Sequence, residues 1–203
     1  METDSTMVGK LPLPKRLLSL IDTGLWPRTP AEAQHQNIRS LVSKERIQVF
    51  APEEDRIYLV SPPFSTVATR MTHNEKFWSK FGALEQISPD RSVLIADFGL
   101  GSDSPILLDY RHDVSAPVVI RLKLNPIHGD TMPNGRKKLL GWANVWLRCA
   151  DTFDGFADML GLGAGVSGSA GIRGPRPHPL VLGKRLGARH AKVNRAKMEN
   201  SND

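Results

Sequence analysis

Three aspartates, Asp97, Asp103 and Asp109, recur every six residues around a glycine-bearing stretch, and His112 follows the last of them. Paired carboxylates hold hard cations, or hold and deprotonate a water, so this spacing raises metal binding and general acid–base chemistry. A structural assignment competes with the chemical one. Asp103 accepts N–H groups of the turn, while Asp97 and Asp109 pair with cations such as Arg111. The structural assignment is favoured, because bonding to nearby backbone is the usual work of aspartate in a turn.

Other chemical signatures fail on context. Asp97-Phe98-Gly99 spells a kinase metal-binding tripeptide, but no glycine-rich loop, lysine-bearing strand or catalytic loop precedes it. Gly163 to Gly168 matches G-x-G-x-x-G, yet it follows a helical segment and opens no amphipathic helix, which rejects a dinucleotide fingerprint. The six histidines (35, 73, 112, 128, 178, 190) show no ligand spacing. The single cysteine, Cys149, excludes an internal disulfide and reads as a small buried hydrophobe. No cofactor, metal or catalytic residue is expected.

The elements that must position the aspartates are legible. Val93 to Phe98 is an apolar strand, Gly99 to Pro105 a turn, and Ile106 to Tyr110 a second strand, so a hairpin is predicted. The run Ile106-Leu107-Leu108 places the second strand centrally, buried on both faces. Further strands are predicted over Arg56 to Val60, Pro117 to Leu124 and Trp142 to Ala150, with Pro62-Pro63 ending the first of them. Ile47 to Phe50 reads equally as a short strand or as a helix end. Helices are predicted from Pro12 to Thr23, from Thr29 (N-cap) through Val42, over Thr66 to Met71, over Glu75 to Phe81, and after Asp151 or Thr152, ending at Gly161. Phe77, Trp78 and Phe81 share one helix face and read as core. Asn125 to Lys138 is dense in turn residues and reads as a mobile loop, whose Arg136-Lys137-Lys138 can touch phosphate.

Charge divides the chain in two. Of 27 basic and 21 acidic residues, eight and two lie in residues 163–203, leaving 19 of each before them. The formal charge of +6 therefore belongs to a glycine- and proline-rich tail, which reads as disordered. One domain is expected over residues 10–162, followed by this tail. No run of about 18 apolar residues and no leader-like segment occurs, so a cytoplasmic location without membrane contact is the expectation.

Taken together, the ordered segments resemble the SUKH superfamily, in its Smi/Knr-like branch (cell-wall assembly and killer-toxin resistance). The resemblance is carried by Pro62-Pro63-Phe64-Ser65-Thr66-Val67, Phe77-Trp78, the stretch from Asp97 to Ile106, Leu108-Asp109-Tyr110-Arg111, Trp146, and Phe153-Asp154-Gly155-Phe156. It covers most of residues 10–162. It implies an α+β domain with a central, mostly antiparallel sheet flanked by helices. It also implies a non-enzymatic role as an immunity protein that binds and neutralises a polymorphic toxin, often a nuclease. The basic tail departs from the family pattern. Asp97, Asp103, Asp109 and Arg111 are then the expected partner-binding residues. The alternative expectation is non-specific nucleic-acid binding through Lys184, Arg185, Arg189, Lys192, Arg195 and Lys197 of the tail.

Overall fold

The structure is a computed structural model that describes residues 6–38, 41–99, 104–132 and 134–163, the side chains of 35–38 excepted. The chain opens with a minimal hairpin, β1 (Met7–Val8) and β2 (Leu11–Pro12), followed by α1 (Lys15–Asp22), α2 (Pro30–Ile38), α3 (Lys44–Gln48) and a short strand β3 (Tyr58–Leu59). Two helices, α4 (Val67–Met71) and α5 (Glu75–Phe81), and two 3-10 turns lead into β4 (Ser92–Asp97) and β5 (Pro105–Asp109). Strands β6 (Val118–Lys123), β7 (Pro126–Thr131), β8 (Lys137–Trp142) and β9 (Val145–Ala150) precede the last helix, α6 (Phe153–Leu160).

The main sheet has the order β3-β4-β5-β6-β9, and every pairing in it is antiparallel. The chain is thus α+β, as expected, and β5 is its central strand, buried at all five positions. Side chains alternate across the pleat. Val93, Ile95, Ile106, Leu108 and Val119 face one way, against Leu17 and Leu20 of α1, Ile47 of α3, and Phe153, Phe156 and Leu160 of α6. Leu94, Leu107, Ile120, Leu122 and Trp146 face the other way, against Val67 of α4 and Trp78 of α5. Helices cover both faces, which is why β4 and β5 are apolar runs rather than alternating strands.

The polar ends of three large buried side chains are met by backbone carbonyls. Trp26 Nε1 donates to Val60 O at 2.8 Å, Trp146 Nε1 to Gly82 O at 2.8 Å, and the Tyr110 hydroxyl to Pro12 O at 2.7 Å. Burial pushes the Tyr110 hydroxyl well above the usual phenol range. Thr66, Asn74 and Thr152 cap α4, α5 and α6 through their side chains. Thr29 accepts from Glu32 N at 3.2 Å at the head of α2.

Three expectations are corrected. The helix opened by Thr29 does not run to Val42, because α2 ends at Ile38 and Ser43 starts α3, which resolves Ile47 as helical. The strand read through Trp142 to Ala150 breaks at Ala143-Asn144. The predicted loop from Asn125 to Lys138 is instead most of a two-stranded ribbon, β7 paired with β8. The tail assignment lies outside the described residues.

Candidate functional site

The aspartates do not form a site. The ladder pairs Asp97 with Pro105 and Ser92 with Asp109, so Asp97 and Asp109 lie at opposite ends of the β4–β5 hairpin. Five residues of extended strand separate them by roughly 17 Å. Asp97 is 6 % exposed, and its Oδ1 accepts Gly99 N at 2.7 Å and Ser104 N at 3.5 Å. Asp109 is 2 % exposed and is gripped by Arg111, with Nη2 on Oδ2 at 2.7 Å and Nε on Oδ1 at 3.0 Å. Arg111 Nη1 also donates to Gln86 O. Of the residues expected to bind a partner, Asp97 and Asp109 are thus buried carboxylates, and the Arg111 guanidinium is held by Asp109 and Gln86 O. The expected Asp109–Arg111 pair is present, and Asp97 accepts turn amides. Asp103 lies outside the described residues, as do Lys184, Arg185, Arg189, Lys192, Arg195 and Lys197. His112 is exposed. Among the described residues no three of His, Cys, Asp and Glu stand close enough to hold a metal ion.

Cys149 sits where β9 carries an extra residue opposite Val119-Ile120. Burial pushes its thiol up to about 12, which keeps it protonated and unreactive at neutral pH.

The feature that presents chemistry outward is the β7–β8 ribbon. No residue of either strand is buried. Ile127, Met132, Leu139 and Leu140 are all exposed, Leu140 to 60 %. A two-stranded ribbon is marginal by itself in water, so this one depends on its base. The base is a polar clasp. Asn144 Oδ1 accepts Asn125 N at 2.8 Å, Asn144 Nδ2 donates to Phe81 O at 3.0 Å, and Gln86 Nε2 donates to Asn144 O at 3.2 Å. Trp142 packs edge-on against Phe81, with centroids 5.0 Å apart. The aromatics read as core in α5 therefore also seat the ribbon.

At the far end, Met132 N donates to Arg136 O at 2.8 Å and Gly135 takes φ +78°, a conformation glycine adopts without strain. Arg136, Lys137 and Lys138 are exposed and make no ion pair among the described residues. Asp130 is the one acid between Pro126 and Trp142. The result is an apolar, cationic arm reaching about 20 Å from its clasp. The sequence signal available for it was Ile127 and Leu139-Leu140 on either side of Asn134-Gly135, a hairpin dipeptide.

Comparison of the chain with protein-family models, with curated proteins and with solved structures finds no match in any of the three. Among the described residues no helix is long and apolar enough to cross a membrane.

Proposed function

We propose that this chain is a non-enzymatic protein-binding module that grips a partner protein with its β7–β8 arm. In keeping with the resemblance to SUKH immunity proteins, the partner is a toxin that the complex neutralises. The observation that carries the binding role is the arm's four exposed apolar side chains beside three exposed cations that make no ion pair among the described residues. Exposed apolar surface concentrated on one rigidly based element marks an interface rather than chance exposure. Each half-exposed leucine or isoleucine gains on the order of 1 kcal/mol when the rest of its surface is covered. The cations select a partner face that is acidic at its rim, and they speed encounter with it.

The test is a photo-crosslinking amino acid placed at position 140, with position 114 on a separate exposed loop as control. Expression is in the native host, and the captured protein is then expressed alone and together with this chain. Position 140 gives one protein adduct that position 114 does not, and the captured protein is toxic alone and tolerated with this chain. Equal labelling from both positions removes the arm from the account, and a harmless captured protein removes the immunity role.

A second reading rests on the same exposed Arg136, Lys137 and Lys138, together with the tail cations. Here the chain binds nucleic acid without sequence preference, with affinity falling steeply as salt rises. Removal of residues 163–203 weakens such binding, and a flat salt response excludes it.

A further inference from the structure

A cleft of about 530 Å³ lies along the edge strand β3, between it and α2, with Pro62 and Pro63 at one end. Its walls are mainly apolar: Pro30 and Ala33 of α2, Val60, Pro62, Pro63 and Leu94. That size and character suit a small ligand, whose orientation is then set by few polar groups. Two polar groups stand at the proline end. Arg70 Nε donates to Ser65 Oγ at 2.8 Å, which fixes the guanidinium plane, and Arg70 has no ion pair among the described residues. Ser61 is 8 % exposed and lines the cleft, where it carries a hydroxyl. A guanidinium with its two terminal nitrogens open matches the two oxygens of a carboxylate.

Leu94 N donates to Ser65 O, so Arg70 belongs to the Leu94 end of β4, and Asp97 lies three residues further, roughly 10 Å along the strand. The Asp97 carboxylate receives the Gly99 and Ser104 amides.

We infer that this cleft binds a linear apolar monocarboxylate, with its carboxylate on Arg70 and Ser61 and its chain lying along Val60 toward Asp97. The site is separate from the arm and does not depend on the arm's partner. It discriminates against a neutral chain, which leaves Arg70 unmatched, and against a dicarboxylate, whose second charge is desolvated against the apolar walls at Val60 and Leu94.

The full chain is titrated with octanoate, octanol and octanedioate, read by saturation-transfer NMR and calorimetry. Octanoate binds, and the other two bind at least about fivefold more weakly. Arg70→Gln weakens octanoate binding about tenfold, the loss of one charge-assisted contact. Ala33→Trp fills the cleft and abolishes binding with Arg70 intact, and circular dichroism melts confirm that both variants remain folded. Leu140→Ser, on the arm, leaves octanoate binding unchanged. Octanol binding as tightly as octanoate, undiminished binding to Arg70→Gln, or loss in Leu140→Ser instead, overturns the inference.

Discussion

Arg121 tests whether the charges inside this sheet stabilise it or are merely tolerated. It sits on β6 opposite Ile106, is 2 % exposed, and donates from Nη1 to Glu53 Oε1 at 2.8 Å. Its guanidinium lies over Phe98 at 5.8 Å, and its buried Nε has no hydrogen-bond partner among the described residues. Removing the acid leaves a buried cation poorly compensated, whereas removing the cation also removes its desolvation penalty and the orphaned Nε. Glu53 is 36 % exposed, so water recovers part of what the first change loses. Glu53→Gln should therefore cost about 2 kcal/mol, lowering Tm by about 4–8 °C in a domain of this size. Arg121→Met keeps an apolar contact with Phe98 and should stay within about 1 kcal/mol of the parent or exceed it. The double variant should match Arg121→Met, because the two residues act as one unit.

The pH dependence supplies a second signature. Burial opposes ionisation of Glu53, but its bonds to Arg121 and to backbone outweigh burial and hold its pKa below the ordinary 4.5. Stability from this pair is thus present above the unfolded pKa and is lost as pH falls through the lowered folded value. Neighbouring Glu54 behaves oppositely, raised first by burial and then by the charge of Glu53. Its share is present below 4.5 and lost as pH rises through the raised value. Urea unfolding followed by tryptophan fluorescence, in a Glu54→Gln background at neutral and acid pH, isolates the pair. A loss in Arg121→Met larger than in Glu53→Gln, or an acid response unchanged by Arg121→Met, would refute the reasoning.

Asn144→Ala strips partners from Phe81 O and Asn125 N, so it should cost about 2 kcal/mol and speed amide exchange across residues 126–142. Exchange no faster than in the parent would show that the ribbon does not need its clasp. Gly161 closes α6 at φ +75°, and a Cβ there would stand 2.5 Å from the Arg46 guanidinium carbon. Gly161→Ala should lose about 1–2 kcal/mol in a urea titration, and an unchanged midpoint would contradict that packing. Cys149 should resist a disulfide reagent at pH 8 until urea unfolds the chain, since burial pushes its thiol up to about 12. Native labelling within minutes would place it at the surface.

Periodicity carried most of the scaffold. The β4–β5 hairpin, β6, α5 and α6 were readable because their apolar residues recur with the period of the element and their caps are strong, as at Thr152 and Gly161. What stayed hidden obeys other physics. The two-residue strands β1, β2 and β3 are too short to show any period. In the ribbon, Pro126 and Gly129 sit inside a strand and mimic a loop, and register shifts at Ile127-His128 and beyond blur the alternation. Leu140 crosses Gly129, where a Cβ would fall 3.0 Å from a leucine methyl. The aspartates misled for a different reason. Their regular spacing is a property of the chain, while an antiparallel hairpin sends its two strand termini to opposite ends.

The most direct measurement is the affinity of the cross-linked partner for the purified full chain and for Leu139→Ser/Leu140→Ser. If the arm is the gripping element, Kd rises at least tenfold, from about 2 kcal/mol of lost apolar burial, while the melt stays within a few degrees of the parent. An unchanged Kd in a folded double variant would contradict the account.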